Sequence, residues 1–115
     1  MRASNEVAIR VEQFGEATVL SVAGDMDMTT TPAVQAAVIK ALDERPGTVV
    51  LDIDEVTFLG SDGIAVLVRC HQYAGSQVRF RVVALNPVSL RPMQLTGLID
   101  VIPIYPTREE ALGAD

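Results

Sequence analysis

Asp25 and Asp27 lie two residues apart in Gly24-Asp25-Met26-Asp27, and Asp62 follows Ser61 in Gly60-Ser61-Asp62-Gly63. Carboxylates gathered at the ends of strands can hold Mg²⁺ and accept a phosphoryl group, since oxygen ligands suit that cation and an aspartate can act as a nucleophile. The same chemistry wants a basic residue beside the acceptor. Lys40, the one lysine of the chain, falls inside a helical pattern among small residues and reads as a solvated position. Cys70 and His71 are adjacent, so on a helix they diverge by about 100° and do not meet as nucleophile and base. Cys70 is expected as a buried small hydrophobe, a redox role requiring an accessible thiol of lowered pKa, and His71 as a core or boundary residue on an apolar stripe. Gly60–Gly63 is too short for a phosphate-binding loop and no Gly-Lys-Thr element follows it. Taken singly, the acids also have plain structural readings. Asp62, one residue after an expected Ser61 N-cap, favours the positive end of a helix, and Asp25 and Asp27 solvate a turn after Gly24.

The elements that must position these residues follow from periodicity. Val7, Ile9 and Val11 alternate, and with a second β-rich run they predict a hairpin of Val7–Glu12 and Ala17–Ala23. Thr29-Thr30-Thr31-Pro32 opens a helix with Val34, Ala37, Val38, Ala41 and Leu42 on one stripe, stopped by Arg45-Pro46-Gly47. Thr48–Ile53 predicts a strand buried on both faces, followed by a polar bend at Asp54-Glu55 and by Val56–Leu59 leading to Gly60. A second helix is expected from Ser61 to Ala74, with Ile64, Leu67, Val68 and His71 on one stripe and Val66 with Cys70 beside it. Val78–Leu85 reads as a strand. Asn86-Pro87 caps a third helix carrying Val88, Leu90 and Leu95, Val101–Tyr105 is a last strand, and Thr107 caps a terminal helix. The order β-β-α-β-α-β-α-β-α predicts an α/β fold with a mixed sheet of four to five strands and four helices packed mainly on one face. All of residues 1–115 form one domain in this reading, with about 1–4 and 113–115 as loose ends.

Composition narrows the function classes. Fifteen Asp and Glu against nine Lys and Arg give a net charge of −6, which argues against direct nucleic-acid binding by phosphate neutralisation. A single Cys and a single His leave no disulfide framework and no Cys/His zinc site. No apolar run approaches the roughly 20 residues of a membrane span, and the first residues lack a signal-peptide core. The expectation is a cytoplasmic domain with no membrane insertion and no cofactor.

The motifs taken together are more specific than any one of them. Val22-Ala23-Gly24-Asp25-Met26-Asp27, the Thr-rich helix start, Val49-Val50-Leu51-Asp52-Ile53 and Phe58-Leu59-Gly60-Ser61-Asp62-Gly63-Ile64 resemble a STAS domain, the domain of sulphate transporters and anti-sigma factor antagonists. The resemblance runs on through Val82–Leu85, Asn86-Pro87-Val88 and Leu95-Thr96-Gly97-Leu98, so it covers nearly the whole chain, in the manner of stand-alone bacterial antagonists. It implies a non-enzymatic regulator that captures a serine-kinase-type anti-sigma factor and so controls sigma-factor-dependent transcription. In the family the segment at Gly60–Gly63 usually reads Asp-Ser-Ser/Thr-Gly, and its second hydroxyl residue is phosphorylated. Ser61 and Gly63 match that pattern, while Gly60 replaces the Asp and Asp62 occupies the phosphoacceptor position. An aspartate has no hydroxyl to modify and carries a permanent charge, against about −1.5 to −2 for phosphoserine. The resemblance therefore implies a phosphorylation switch that is lost or altered, with Ser61 as a weak alternative acceptor.

The partner-binding surface implied in this way comprises Asp25, Asp27, Thr30, Gly60, Ser61, Asp62 and Gly63, on a monomer or weak dimer. Two other readings stand beside it. STAS domains also serve as subunits of lipid-transport ABC complexes and stress-sensing assemblies. In a different class altogether, Asp25, Asp27 and Asp62 would form a Mg²⁺-dependent phospho-acceptor.

Overall fold

The alternation at the start of the chain builds a hairpin. In the computed structural model, which describes residues 6–114, β1 (Val7–Phe14) pairs antiparallel with β2 (Ala17–Met26). Both strands are longer than the sequence predicts, and Gly24, Asp25 and Met26 belong to β2 rather than to a loop. Gly24 is what lets β2 continue: its φ is +111°, and a Cβ there would meet the Glu6 carbonyl oxygen at 2.7 Å.

Helix α1 (Thr31–Asp43) follows, with Pro32 in its first turn; of the predicted stripe Val34, Val38, Ala41 and Leu42 are buried and Ala37 half-buried, and Thr31 is buried as well. β3 (Thr48–Leu59) is one strand of 12 residues, not a strand, a bend and a second piece. Its parallel pairing with β2 shifts register between Ser21 and Ala23 and again between Gly24 and Asp25, so β3 absorbs an extra residue at each place. The polar Asp54 does not end the strand. Its Oδ1 accepts the Leu85 and Asn86 amides at 2.8 and 2.7 Å, anchoring the turn at the far end of the next strand.

Helix α2 (Ser61–Ala74) buries Gly63, Val66, Leu67, Cys70 and Ala74. The buried stripe is thus the one carrying Val66 and Cys70, and Ile64, Val68 and His71 are only half-buried at its border. β4 is shorter than expected, Arg79–Val83. Asn86 caps α3 (Pro87–Leu95) by accepting the Val88 amide, as its position predicts, but α3 buries Ser89 and Met93 while Val88 and Leu95 are exposed. A short 3₁₀ turn, Leu98–Asp100, precedes the expected last strand, whose first residues, Val101–Pro103, are turn and bend, so β5 is only Ile104–Tyr105. Thr107 caps α4 (Arg108–Gly113) by accepting the Glu110 amide. The expected loose ends fall outside the described residues except for Gly113, which closes α4, and Ala114, the residue just after it.

The five strands lie in the order β1-β2-β3-β4-β5, parallel from β2 onward. Strand alternation divides the apolar residues between two faces. Leu20, Val22, Val49, Leu51, Ile53, Phe80 and Val82 form one core with α1, α2 and α3. Val19, Val50 and Val83 point the other way, onto Ala111 of α4. That reverse face is also held by polar contacts. Arg108 of α4 donates to Asp52 Oδ2 at 2.7 Å, to Glu12 Oε1 at 3.3 Å and to Ser21 Oγ, one acceptor on each of β3, β1 and β2. Buried Arg81 donates to the Ala111 carbonyl at 2.8 Å and lies over the Tyr105 ring.

Candidate functional site

Because β2 and β3 are parallel and each runs into a helix, their carboxyl ends and the N-termini of α1 and α2 gather at one edge of the sheet. Gly60 ties these ends together. Its amide donates to the Met26 carbonyl at 3.3 Å, and its own carbonyl accepts the Ile64 amide at 3.0 Å to open α2. Gly60, not Ser61, is the N-cap, so Ser61 and Asp62 are the first two residues of the helix and both are exposed. The expectation that capping engages the Ser61 hydroxyl does not hold. Asp62 sits in the first turn, where the helix dipole favours an anion by about 0.3–1 kcal/mol.

Gly63 sets how closely α2 approaches the sheet. A Cβ there would meet Leu59 Cδ1 at 2.5 Å and Met26 Cβ at 3.3 Å, so a larger residue would make the Leu59 side chain shift where the helix start rests on the end of β2. Gly63 is accordingly buried, a spacer beneath the surface rather than part of it.

The other two acids are tied into their own surroundings. Asp25 Oδ1 accepts the Thr57 hydroxyl at 2.6 Å, bridging β2 to β3. Asp27 Oδ1 accepts the Thr29 hydroxyl at 2.7 Å and the Thr29 amide at 2.9 Å, with the Thr30 amide more distant at 3.3 Å. The Thr29 hydroxyl and amide, helped by Thr30, hold the Asp27 carboxyl below the ordinary carboxylate range. Thr30 is buried. Its hydroxyl donates to the Asp25 carbonyl at 2.6 Å and accepts the Asp27 amide at 3.0 Å. It shapes the turn from within, in correction of the expectation that it lies on the contact surface.

These positions do not bring Asp25, Asp27 and Asp62 together as one group. Among the described residues no group of three or more His, Cys, Asp or Glu side chains is placed to hold a metal ion. Asp25 faces Thr57, Asp27 faces its own loop, and Asp62 stands on α2. Cys70 is buried, as expected of a small core hydrophobe, and burial raises its thiol to about 11. Among the described residues no helix is long and apolar enough to cross a membrane.

Two residues of this edge escape the sequence reading. Phe58, half-exposed, lies against Gly60, where a Cβ would come within 2.8 Å of its ring, and Met28 is exposed at 73% in the turn before α1. An exposed aromatic and an exposed methionine thus flank the acidic residues. Nothing in local periodicity marks either, because the bulge at Thr57 decides which way Phe58 points.

The STAS domain family profile matches residues 8–111. The chain belongs to the STAS domain family. Over 112 residues it is 32% identical to the anti-sigma-F factor antagonist RsfB of Mycobacterium tuberculosis, covering 97% of this chain and 92% of that one. The anti-sigma-F factor antagonist RsfA of the same organism is 27% identical, with 96% and 89% covered. Among solved structures, an anti-sigma factor antagonist from Mycobacterium paratuberculosis superposes with a TM-score of 0.91 at 37% identity, covering 97% of this chain and 96% of that one. The unphosphorylated anti-sigma factor antagonist SpoIIAA shares the fold, with a TM-score of 0.74 at 18% identity over 91% and 93% of the two chains. The expected STAS fold is therefore the fold observed.

Proposed function

We propose that this protein is an anti-sigma factor antagonist, which captures an anti-sigma factor at the edge formed by the ends of β2 and β3 and the start of α2. End-to-end similarity to RsfB carries the reading, since the chain and its relative match over nearly their full lengths. The site is consistent with binding rather than catalysis. Its acids are tied into turns or set on a helix, and exposed Phe58 and Met28 beside them offer the mixed apolar and polar surface typical of an interface core and rim. Its negative charges would steer encounter with a basic partner surface and act on association rate more than on affinity.

Within this reading Asp62 replaces the phosphoacceptor, so a serine-kinase anti-sigma factor has no hydroxyl to modify there. Ser61, exposed and not the N-cap, is the neighbouring alternative. Incubation with a cognate kinase-type anti-sigma factor and labelled ATP is expected to leave the protein unlabelled while a stable complex forms. Asp62→Ser is expected to gain label and to lose the complex as it does. Label on Ser61 of the unaltered protein would overturn the lost switch, and absence of any complex would overturn the antagonist reading itself.

A further inference from the structure

We propose that the outer edge of β1 pairs with the same edge of a second copy, giving a two-fold symmetric dimer through an antiparallel contact centred on Val11. Among the described residues β1 pairs only with β2, so its other side presents unpaired backbone groups. Which groups these are follows from the hairpin. Gly15 and Glu16 form a two-residue loop, and Gly15 at φ +61° in the first central position marks a type II′ turn. Phe14 and Ala17 close that turn as a hydrogen-bonded pair. By alternation, Ala8, Arg10, Glu12 and Phe14 direct their amides and carbonyls to β2, and Val7, Ile9, Val11 and Gln13 direct theirs outward.

Soluble proteins blunt such an edge with proline, a bulge, a very short strand or unmatched charge. β1 has none of the first three. It runs for 8 residues without proline, its pairing with β2 is regular throughout, and Val11 and Phe14 are exposed at 53% and 45%. The charges on it are self-complementary, with Glu12 also accepting Arg108 of its own chain at 3.3 Å. A two-fold axis at Val11 sets Arg10 opposite Glu12 of the second copy, and Glu12 opposite its Arg10. It also sets Ala8 opposite Phe14, and Ile9 opposite Gln13. Moving the axis to Arg10 or to Glu12 stacks that charge on its own copy. With the axis at Val11, the outward amides and carbonyls of Ile9, Val11 and Gln13 meet one another. The charged residues then fall in the intervening pairs, where side chains come closest. α1 packs over β2 and β3, and α4 over β3, β4 and β5, with Arg108 of α4 reaching β1 at Glu12. Val7, beside the candidate site through its pairing with Gly24, would lie next to the hairpin turn of the second copy. The two sites would then stay uncovered and face opposite ways along the joined sheet.

Sedimentation of the full chain from about 10 μM to about 1 mM is expected to show a concentration-dependent monomer–dimer equilibrium. Arg10→Glu and Glu12→Arg, each alone, are expected to weaken it about tenfold or more, because two opposite-charge pairs become two like-charge pairs; since Glu12→Arg also removes an acceptor of Arg108, its thermal unfolding is measured beside it. Mixing the two variants is expected to restore association, since the mixed pair again sets opposite charges across the axis. Val11→Pro removes an outward amide that β2 does not use and is expected to abolish the dimer while leaving the thermal unfolding of the fold in place. A chain that stays monomeric over the whole range overturns the proposal. So does a dimer that Val11→Pro and Arg10→Glu leave unchanged, or a mixture that associates no better than its components.

Discussion

Asp27 draws its stabilisation from its own loop, since the hydroxyl and amide of Thr29 bond its charged form. Both bonds favour the carboxylate, so its folded pKa lies below the ordinary value of 3.8. The linkage then has a fixed sign: the stabilisation is present above that ordinary value and is lost as pH falls through the lower, folded one. An NMR titration is expected to place the Asp27 midpoint below 3.8 and to move it upward in Thr29→Val. A midpoint at or above the ordinary value would contradict the bonding described. At this scale the sequence was partly legible. Asn86 and Thr107 are recognisable caps because each needs only its own side chain and an amide two or three residues on. Ser61 is misread by the same rule, because Gly60 reaches the Met26 carbonyl of another strand and takes the capping position.

Among the elements, the helices were easier to foresee than the strand ends. α1 and α2 show periodic stripes and clear stops, whereas β3 passes through Asp54-Glu55 because β2 supplies partners on the far side of a bulge. That pairing is long-range and leaves no local mark. The short β5 and the exposed Val88 and Leu95 reflect the same gap, since apolar residue type alone does not say which neighbour covers it. The edge holding the site depends on two glycines that the motif did display. Gly24 keeps β2 beside β1 at a positive φ with the Glu6 carbonyl against it, so Gly24→Ala combines backbone strain with a backbone clash. Its expected cost is about 2–4 kcal/mol, read as a lower denaturation midpoint with unchanged slope. Stability equal to the unaltered protein would mean that β1 and β2 separate here without penalty.

At the scale of the whole molecule, α4 is, among the described residues, the one helix packed on the reverse face, and Arg108 is its link to three strands at once. Asp52 and Glu12 raise the Arg108 pKa, Asp52 the more, as expected of a guanidinium held by carboxylates. The Asp52 side chain is 14% exposed and would be left without its cation if Arg108 were removed. Arg108→Met is therefore expected to destabilise the fold by about 1–3 kcal/mol, measured by chemical denaturation. A loss below about 0.5 kcal/mol would reduce these bonds to surface pairs.

The bond from Arg108 to Glu12 joins residues 96 positions apart. A contact that closes so long a loop is expected to form after the local hairpin and helix contacts. It therefore acts as a latch on the lifetime of the folded chain more than as a guide for folding. In stopped-flow experiments Arg108→Met is expected to speed unfolding roughly tenfold while leaving the refolding rate within about twofold. Slower refolding with unchanged unfolding would instead place the latch in the folding nucleus.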